Sequence, residues 1–150
     1  MNPYRLNSRE LAAYMIRDPY IRPYYGGVLA IDELQYLVLE PKIYVVNTDP
    51  RSESGEHWFC IFLKDIPEHF DSSGLKPKPN VENYLFFHGP DYMYNNVRVQ
   101  SYTSETCGLF ALFFCYFRCR GFSFLEIMNM FSPNLYVNEA VVKYFYEQTK

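Results

Sequence analysis

The 150-residue sequence lacks any excess of basic charge: 14 Lys and Arg stand against 17 Asp and Glu, a net charge of −3. A dedicated nucleic-acid binder carries a basic excess, so this balance argues against one. Long apolar runs are also missing. The longest covers residues 109–117 and closes on Arg118 and Arg120, whereas a membrane-spanning helix needs about 20 such residues. The opening MNPYRLNSRE has no apolar core of the signal-peptide kind, which predicts a protein that is not secreted and whose thiols stay reduced. The four cysteines, Cys60, Cys107, Cys115 and Cys119, form no C-x2-C pair and have no histidine cluster beside them. A zinc site of ordinary spacing is therefore not expected. Internal repeats and low-complexity tracts are absent as well.

Aromatic residues are what the sequence has in quantity: 15 Tyr, 13 Phe and 1 Trp, or 19%. They bury much area per residue, which predicts a dense aromatic core and an aromatic-lined groove. At roughly 100–200 residues per domain, the length predicts one domain over residues 1–150. No assembly signal is evident, so a monomer is expected. Residues 7–18 read as a helix capped by Asn7 or Ser8, with Glu10 in its first turn. Pro19, Pro23 and the pair Gly26-Gly27 read as chain breaks, and residues 32–37 as a helical turn. Residues 43–47, 57–63 and 68–71 read as strands, with a polar loop over 49–56. Residues 72–80 read as loop, residues 81–96 fit no single element, and residues 97–100 (VRVQ) read as a short alternating strand. A helix is predicted over 107–120, with Gly121 after its end, and further helices over 123–131 and 138–148. The segment CGLFALFFCYF is apolar nearly all round, which belongs in the middle of a fold. Strands before such a helix, with helices at both ends, predict an α+β domain.

Cys107 opens that buried helix. Partial positive charge and unpaired N–H groups gather at a helix start, and both favour the reactive thiolate. Gly108 beside it permits close approach of another chain. Cys115 and Cys119, inside the helix, read as structural. His57 opens the strand HWFCIFL, and a hairpin at residues 64–67 returns Asp71 to the same end of the sheet, within about two residues of register. A carboxylate there fixes the histidine tautomer and steadies the imidazolium. His69 and His88 lack such a carboxylate and read as surface or packing residues. Gln100, seven positions before Cys107, offers a side-chain amide that could join the Cys107 N–H in holding an oxyanion. Each signal is weak alone; together they supply a nucleophile, a base, an orienter and an oxyanion donor.

With these residues in view, the sequence resembles the adenovirus maturation protease (adenain) family of cysteine peptidases. The block VNTDPRSESGEHW, residues 46–58, is similar to that family's stretch ending in Gly-x-His-Trp. QSYTSETCGLFALFF, residues 100–114, resembles its Gln-x6-Cys-Gly-Leu-Phe segment. MFSPNLYVNEAVVKYFYEQ, residues 130–148, resembles its C-terminal helical region. The resemblance implies a papain-like architecture, with a small mixed or antiparallel sheet packed on a buried central helix that begins at the nucleophile. It also implies the roles: His57 as general base, Cys107 as nucleophile, Asp71 as the acidic triad member, and Gln100 with the Cys107 amide as the oxyanion hole. Trp58 and Gly108 would contact substrate, Trp58 packing beside the catalytic histidine. The implied reaction is hydrolysis of viral precursor proteins through an acyl-enzyme, in hydrophobic-x-Gly-x-Gly or hydrophobic-x-Gly-Gly-x contexts. The implied location is the virion and the host nucleus or cytoplasm.

Several features depart from that family. The adenovirus enzymes usually carry Glu where Asp71 stands, while the related ubiquitin-like-protein proteases carry Asp. The adenovirus enzymes are basic and use DNA as a cofactor. Here the local basic groups are only Lys76 with Lys78 and Arg118 with Arg120, so DNA stimulation is expected to be weak or absent. They also bind an activating peptide in part through a disulfide, using a cysteine between the triad acid and the oxyanion Gln. No cysteine lies between Asp71 and Gln100, which leaves only a non-covalent peptide activator; no cofactor is required by the sequence. Tyr24-Tyr25-Gly26-Gly27-Val28 fits the Gly-Gly cleavage context but reads as a turn. Two other functions remain open: a deconjugating protease for a ubiquitin-like modifier, and an inactive capsid-bound interaction protein. The Gln-x6-Cys spacing and the C-terminal block favour the maturation protease.

Overall fold

The computed structural model describes residues 2–49 and 57–150. Apart from Asp49, the expected polar loop over 49–56 lies outside the described residues. Helix α1, Ser8–Arg17, starts at a reciprocal cap: the Asn7 side chain accepts from the Glu10 N–H at 2.8 Å, and Glu10 accepts from the Asn7 N–H at 3.0 Å. This satisfies two donors that a helix start otherwise leaves open. Five strands follow: β1 Tyr25–Ala30, β2 Lys42–Asn47, β3 Trp58–Leu63, β4 Glu68–Phe70 and β5 Met93–Tyr94. They pair in chain order, parallel between β1 and β2 and between β4 and β5, and antiparallel between β2 and β3 and between β3 and β4. The remaining helices are α2 Pro79–His88, α3 Cys107–Arg118, α4 Phe124–Met128 and α5 Leu135–Thr149.

The sheet has helices on both faces. Ile43 and Val45 of β2, with Cys60 and Phe62 of β3, join the core formed with α1, α3 and α5. Tyr44 and Val46, with Phe59, Ile61 and Leu63, turn the other way and pack with Val81, Tyr84 and Leu85 of α2. Burial on both faces is why these strands read as unbroken apolar runs rather than alternating ones.

Helix α3 is buried from Cys107 through Cys115. The expected aromatic core forms around it. Phe114, fully buried, stacks on Phe70 with ring centroids 5.0 Å apart and meets Phe124 edge-on at 5.8 Å. Phe114→Ala is expected to cost about 3–5 kcal/mol, because such a void collapses only in part; chemical denaturation measures it.

Several expectations need correction, among them the helix over 123–131, of which α4 takes only Phe124–Met128. Gly26-Gly27 ends no element: both lie in edge strand β1, where the register with β2 shifts between Tyr25 and Gly27. A Cβ at Gly26 would overlap the Tyr44 ring, and Gly27 has φ 148°, where glycine is favoured. Residues 97–100 form no strand; the Val99 and Gln100 N–H groups both donate to the Ser72 carbonyl, at 2.9 and 3.1 Å. Helix α3 stops at Arg118, short of residue 120. Helix α5 starts at Leu135 rather than residue 138, because the Asn134 side chain accepts from the Tyr136 N–H and caps it.

Candidate active site

The β3–β4 ladder pairs Cys60 with Phe70, so its continuation sets Asp71 opposite Phe59, two positions from His57. From these strand ends the side chains meet: His57 Nε2 lies 2.7 Å from Asp71 Oδ1. The same carboxyl oxygen accepts from the Ser73 N–H at 2.8 Å and the Ser73 hydroxyl at 2.6 Å. The backbone of Asp71 is gripped by Asn95, whose side chain accepts from the Asp71 N–H at 2.9 Å and donates to its carbonyl at 2.5 Å. Asn95 is buried and comes from the segment after β5. No spacing rule pointed to it.

Cys107 is the first residue of α3 and is 8% exposed. It shares a side-chain hydrogen bond with His57, and its Sγ accepts from the Trp58 N–H at 3.5 Å. The imidazole therefore bridges acid and sulfur. Burial alone would push the His57 imidazole down. The hydrogen bonds to Asp71 and Cys107 and the charge on both outweigh burial and lift it to about 10. Burial likewise opposes ionisation of Asp71, but His57 and the two Ser73 donors hold its carboxyl below the ordinary range.

Gln100 is buried beside this group. Its Oε1 accepts from the Ser72 hydroxyl at 2.5 Å, and its Nε2 donates to the carbonyl and the hydroxyl of Ser104, both at 3.1 Å. Ser72 thus links the residue after the acid to the amide.

A cavity of about 530 Å³ opens over His57, Trp58, Gln100 and Cys107, walled also by residues 5–8 and by Val28 and Leu29 of β1. A second, of about 360 Å³, shares His57, Gln100 and Ser104 with it. Trp58 is the only aromatic in the first wall among the described residues, so the expected aromatic-lined groove is not found there; the rings went into the core. Gly108 is absent from both walls. Its open side faces inward, where an added Cβ would lie 3.3 Å from Leu6 Cβ and 3.4 Å from Leu11 Cδ2. Its small size admits the N-terminal segment and α1. His69 is buried, 4.8 Å from the Phe59 ring, and burial pushes its imidazole down to about 4. His88 packs on Tyr84 at 4.7 Å.

Among solved structures, the chain is similar to the crystal structure of the ASFV pS273R protease. The TM-score is 0.60 at 17% identity, over 84% of this chain and 63% of that one. The fold is shared with a protease. It is the α+β, papain-like class expected from the sequence, and the chain spans 63% of that protease's length. A selenomethionine crystal structure of the same protease matches with a TM-score of 0.41 and 25% identity, over 57% of this chain and 37% of that one. No protein-family model matches the chain, and no curated protein matches it in sequence.

Proposed function

We propose that the protein is a cysteine endopeptidase, cutting polypeptides after Gly in hydrophobic-x-Gly-x or hydrophobic-x-Gly-Gly contexts with His57, Asp71 and Cys107 as its triad. One observation carries this reading: a single imidazole lies 2.7 Å from a buried carboxylate and hydrogen-bonds the thiol at a helix start. The fold shared with a protease supports it, and the residue blocks that resemble adenain supply the substrate class, viral precursor proteins.

The Cys107 sulfur attacks the scissile carbonyl carbon; a C–S bond forms and the π pair moves onto oxygen. The C–N bond then breaks, and its electron pair takes the proton held by His57, releasing the amine and leaving a thioester. His57 next removes a proton from water, which adds to the thioester carbon. The C–S bond breaks, the acid leaves and the sulfur is restored. A raised His57 suits the first half, because the imidazolium already holds the proton that the amine needs. The Cys107 N–H and Gln100 Nε2 would receive the oxyanion, with Nε2 exchanging one Ser104 contact for it.

Both local basic groups of Arg are spoken for. Arg118 makes a two-pronged pair with Glu68, both contacts 2.9 Å, and Arg120 pairs with Asp18 at 2.8 and 3.2 Å. Lys76 pairs with Glu82 at 3.5 Å. These pairings reduce the positive charge that the two local basic groups offer to phosphates, which favours an enzyme indifferent to DNA. Any activating peptide would bind without a disulfide, and the working form would be a monomer in the virion and the host nucleus or cytoplasm. Asp71 in place of Glu favours a second reading, removal of a ubiquitin-like modifier.

The test is cleavage of a Leu-x-Gly-Gly-x peptide library, with and without duplex DNA. Cleavage after Gly, changed less than about twofold by DNA, is expected. An inert library alongside release of a ubiquitin-like protein from its conjugate would move the assignment to the second reading.

A further inference from the structure

The six residues between Gln100 and Cys107 form no helix or strand, yet they separate the two groups that would hold the oxyanion. One side chain from the far end of the chain grips them. Glu139, in the second turn of α5, is 7% exposed. Its Oε2 accepts from the Ser101 N–H at 3.0 Å and the Ser104 hydroxyl at 2.9 Å, and its Oε1 accepts from the Thr106 hydroxyl at 2.7 Å. All three donors belong to that one loop. Ser104 is also the residue on which Gln100 Nε2 rests, through both carbonyl and hydroxyl. Thr106 immediately precedes the nucleophile, and its carbonyl accepts from the Leu109 and Phe110 N–H groups at 2.9 and 3.2 Å, closing the first turn of α3. The adjacent Asn138 holds the start of the same stretch, donating to the Val99 carbonyl at 3.0 Å.

From this wiring we infer that Glu139 is a positioning residue for the oxyanion hole, an inference that rests on the peptidase reading above. It touches neither substrate nor sulfur. It acts through Ser104 on the Gln100 amide and through Thr106 on the Cys107 N–H, fixing the separation of two donors that lie seven residues apart in sequence. Ground-state binding of peptide needs neither donor; the tetrahedral oxyanion needs both. A shift of this loop is therefore felt in the chemical step rather than in substrate capture.

The experiment uses the full chain, wild type, Glu139→Gln and Ser104→Ala, with the peptide library's best substrate. Removing one oxyanion donor outright costs about 10²–10³ in kcat, so displacing it through Glu139→Gln should cost about 10–100-fold, with KM within about twofold. Alkylation of Cys107 by iodoacetamide builds no oxyanion, and its rate should stay within about twofold of wild type. A peptide aldehyde, whose thiol adduct does carry that oxygen, should weaken by the same factor as kcat. Ser104→Ala should show the same split, and the double variant should lose no more than the worse single one, since both cut one chain of contacts. Wild-type kcat in Glu139→Gln overturns the inference. So does an equal fall in kcat and alkylation rate, which would mean general loosening, and so do additive losses in the double variant. A wild-type protein that cuts no peptide overturns the peptidase reading itself, whereas the other failures leave it standing.

Discussion

Cys107→Ala is expected to lower peptide cleavage by about 10⁴-fold or more, to the residual rate that the oxyanion donors and substrate binding alone sustain, because members of a nucleophile–base unit act together and removing one disables it. Labelling by iodoacetamide at neutral pH should drop with it. Cys60 and Cys115 are fully buried and in contact at 3.9 Å, and burial pushes the Cys119 thiol up, so none of the three is a ready nucleophile. The fold should survive. The lost sulfur was the acceptor of the Trp58 N–H and the hydrogen-bond partner of His57, and an orphaned N–H costs about 1–3 kcal/mol. Thermal unfolding of the variant separates a missing nucleophile from a missing fold. Cleavage persisting in folded Cys107→Ala would remove this residue from the chemistry.

Asp71→Asn is expected to cost about 10²–10⁴-fold in kcat, the upper figure being that of the equivalent change in a serine triad. Asp71 Oδ1 receives three donors, from His57 and twice from Ser73. An amide keeps one oxygen and turns hydrogens on whatever faces its nitrogen, so the imidazole loses its charge partner or its orientation. The pH dependence follows from the directions of the two shifts. His57 is raised, from the ordinary 6.5 to about 10. Its stabilising contribution is whole below pH 6.5 and is lost as pH rises through about 10. Asp71 is lowered. Its contribution is whole above the ordinary carboxylate value, about 4, and is lost as pH falls from there through the lowered value. The pair therefore supports the fold across the whole interval from weak acid to about pH 10. In Asp71→Asn the histidine falls back toward its ordinary value, the alkaline limb of kcat moves to lower pH, and thermal stability becomes flatter with pH. An unchanged alkaline limb would show that Asp71 does not set the His57 proton.

Much of this arrangement was legible beforehand, for reasons visible in particular residues. Helix α3 announces itself because CGLFALFFCYF has no polar face, so its burial needs no tertiary information. The His57–Asp71 meeting follows from strand period and a short hairpin, both local. What stayed hidden depends on distant partners. Gly26-Gly27 reads as a break because glycine is poor in strands; it sits in β1 because the Tyr44 ring of the next strand occupies the space a side chain would need. VRVQ alternates like a strand, but its N–H groups find a single carbonyl, that of Ser72, rather than a ladder. Gly108 follows Cys107 in sequence, and only the folded chain shows Leu6 and Leu11 packed against it. Asn95 and Glu139 sit far from every motif, and only the folded chain brings them to Asp71 and to the loop before Cys107.

The elements that carry the site differ in how firmly they are held. Helix α3 packs against α1, β3, α4 and α5, so its central amides exchange with solvent only when the whole molecule opens. His57 stands just before β3, Asp71 just after β4, and Gln100 in a stretch with no ladder of its own. These flanking pieces belong to the lower rungs of opening that precede global unfolding. In the proposed peptidase, sulfur is thus fastened to the last part to melt, and its three helpers to earlier ones. On warming, turnover is set to fade reversibly while far-ultraviolet dichroism still reports an intact helix, and cooling reassembles the centre around a thiol that never left its place.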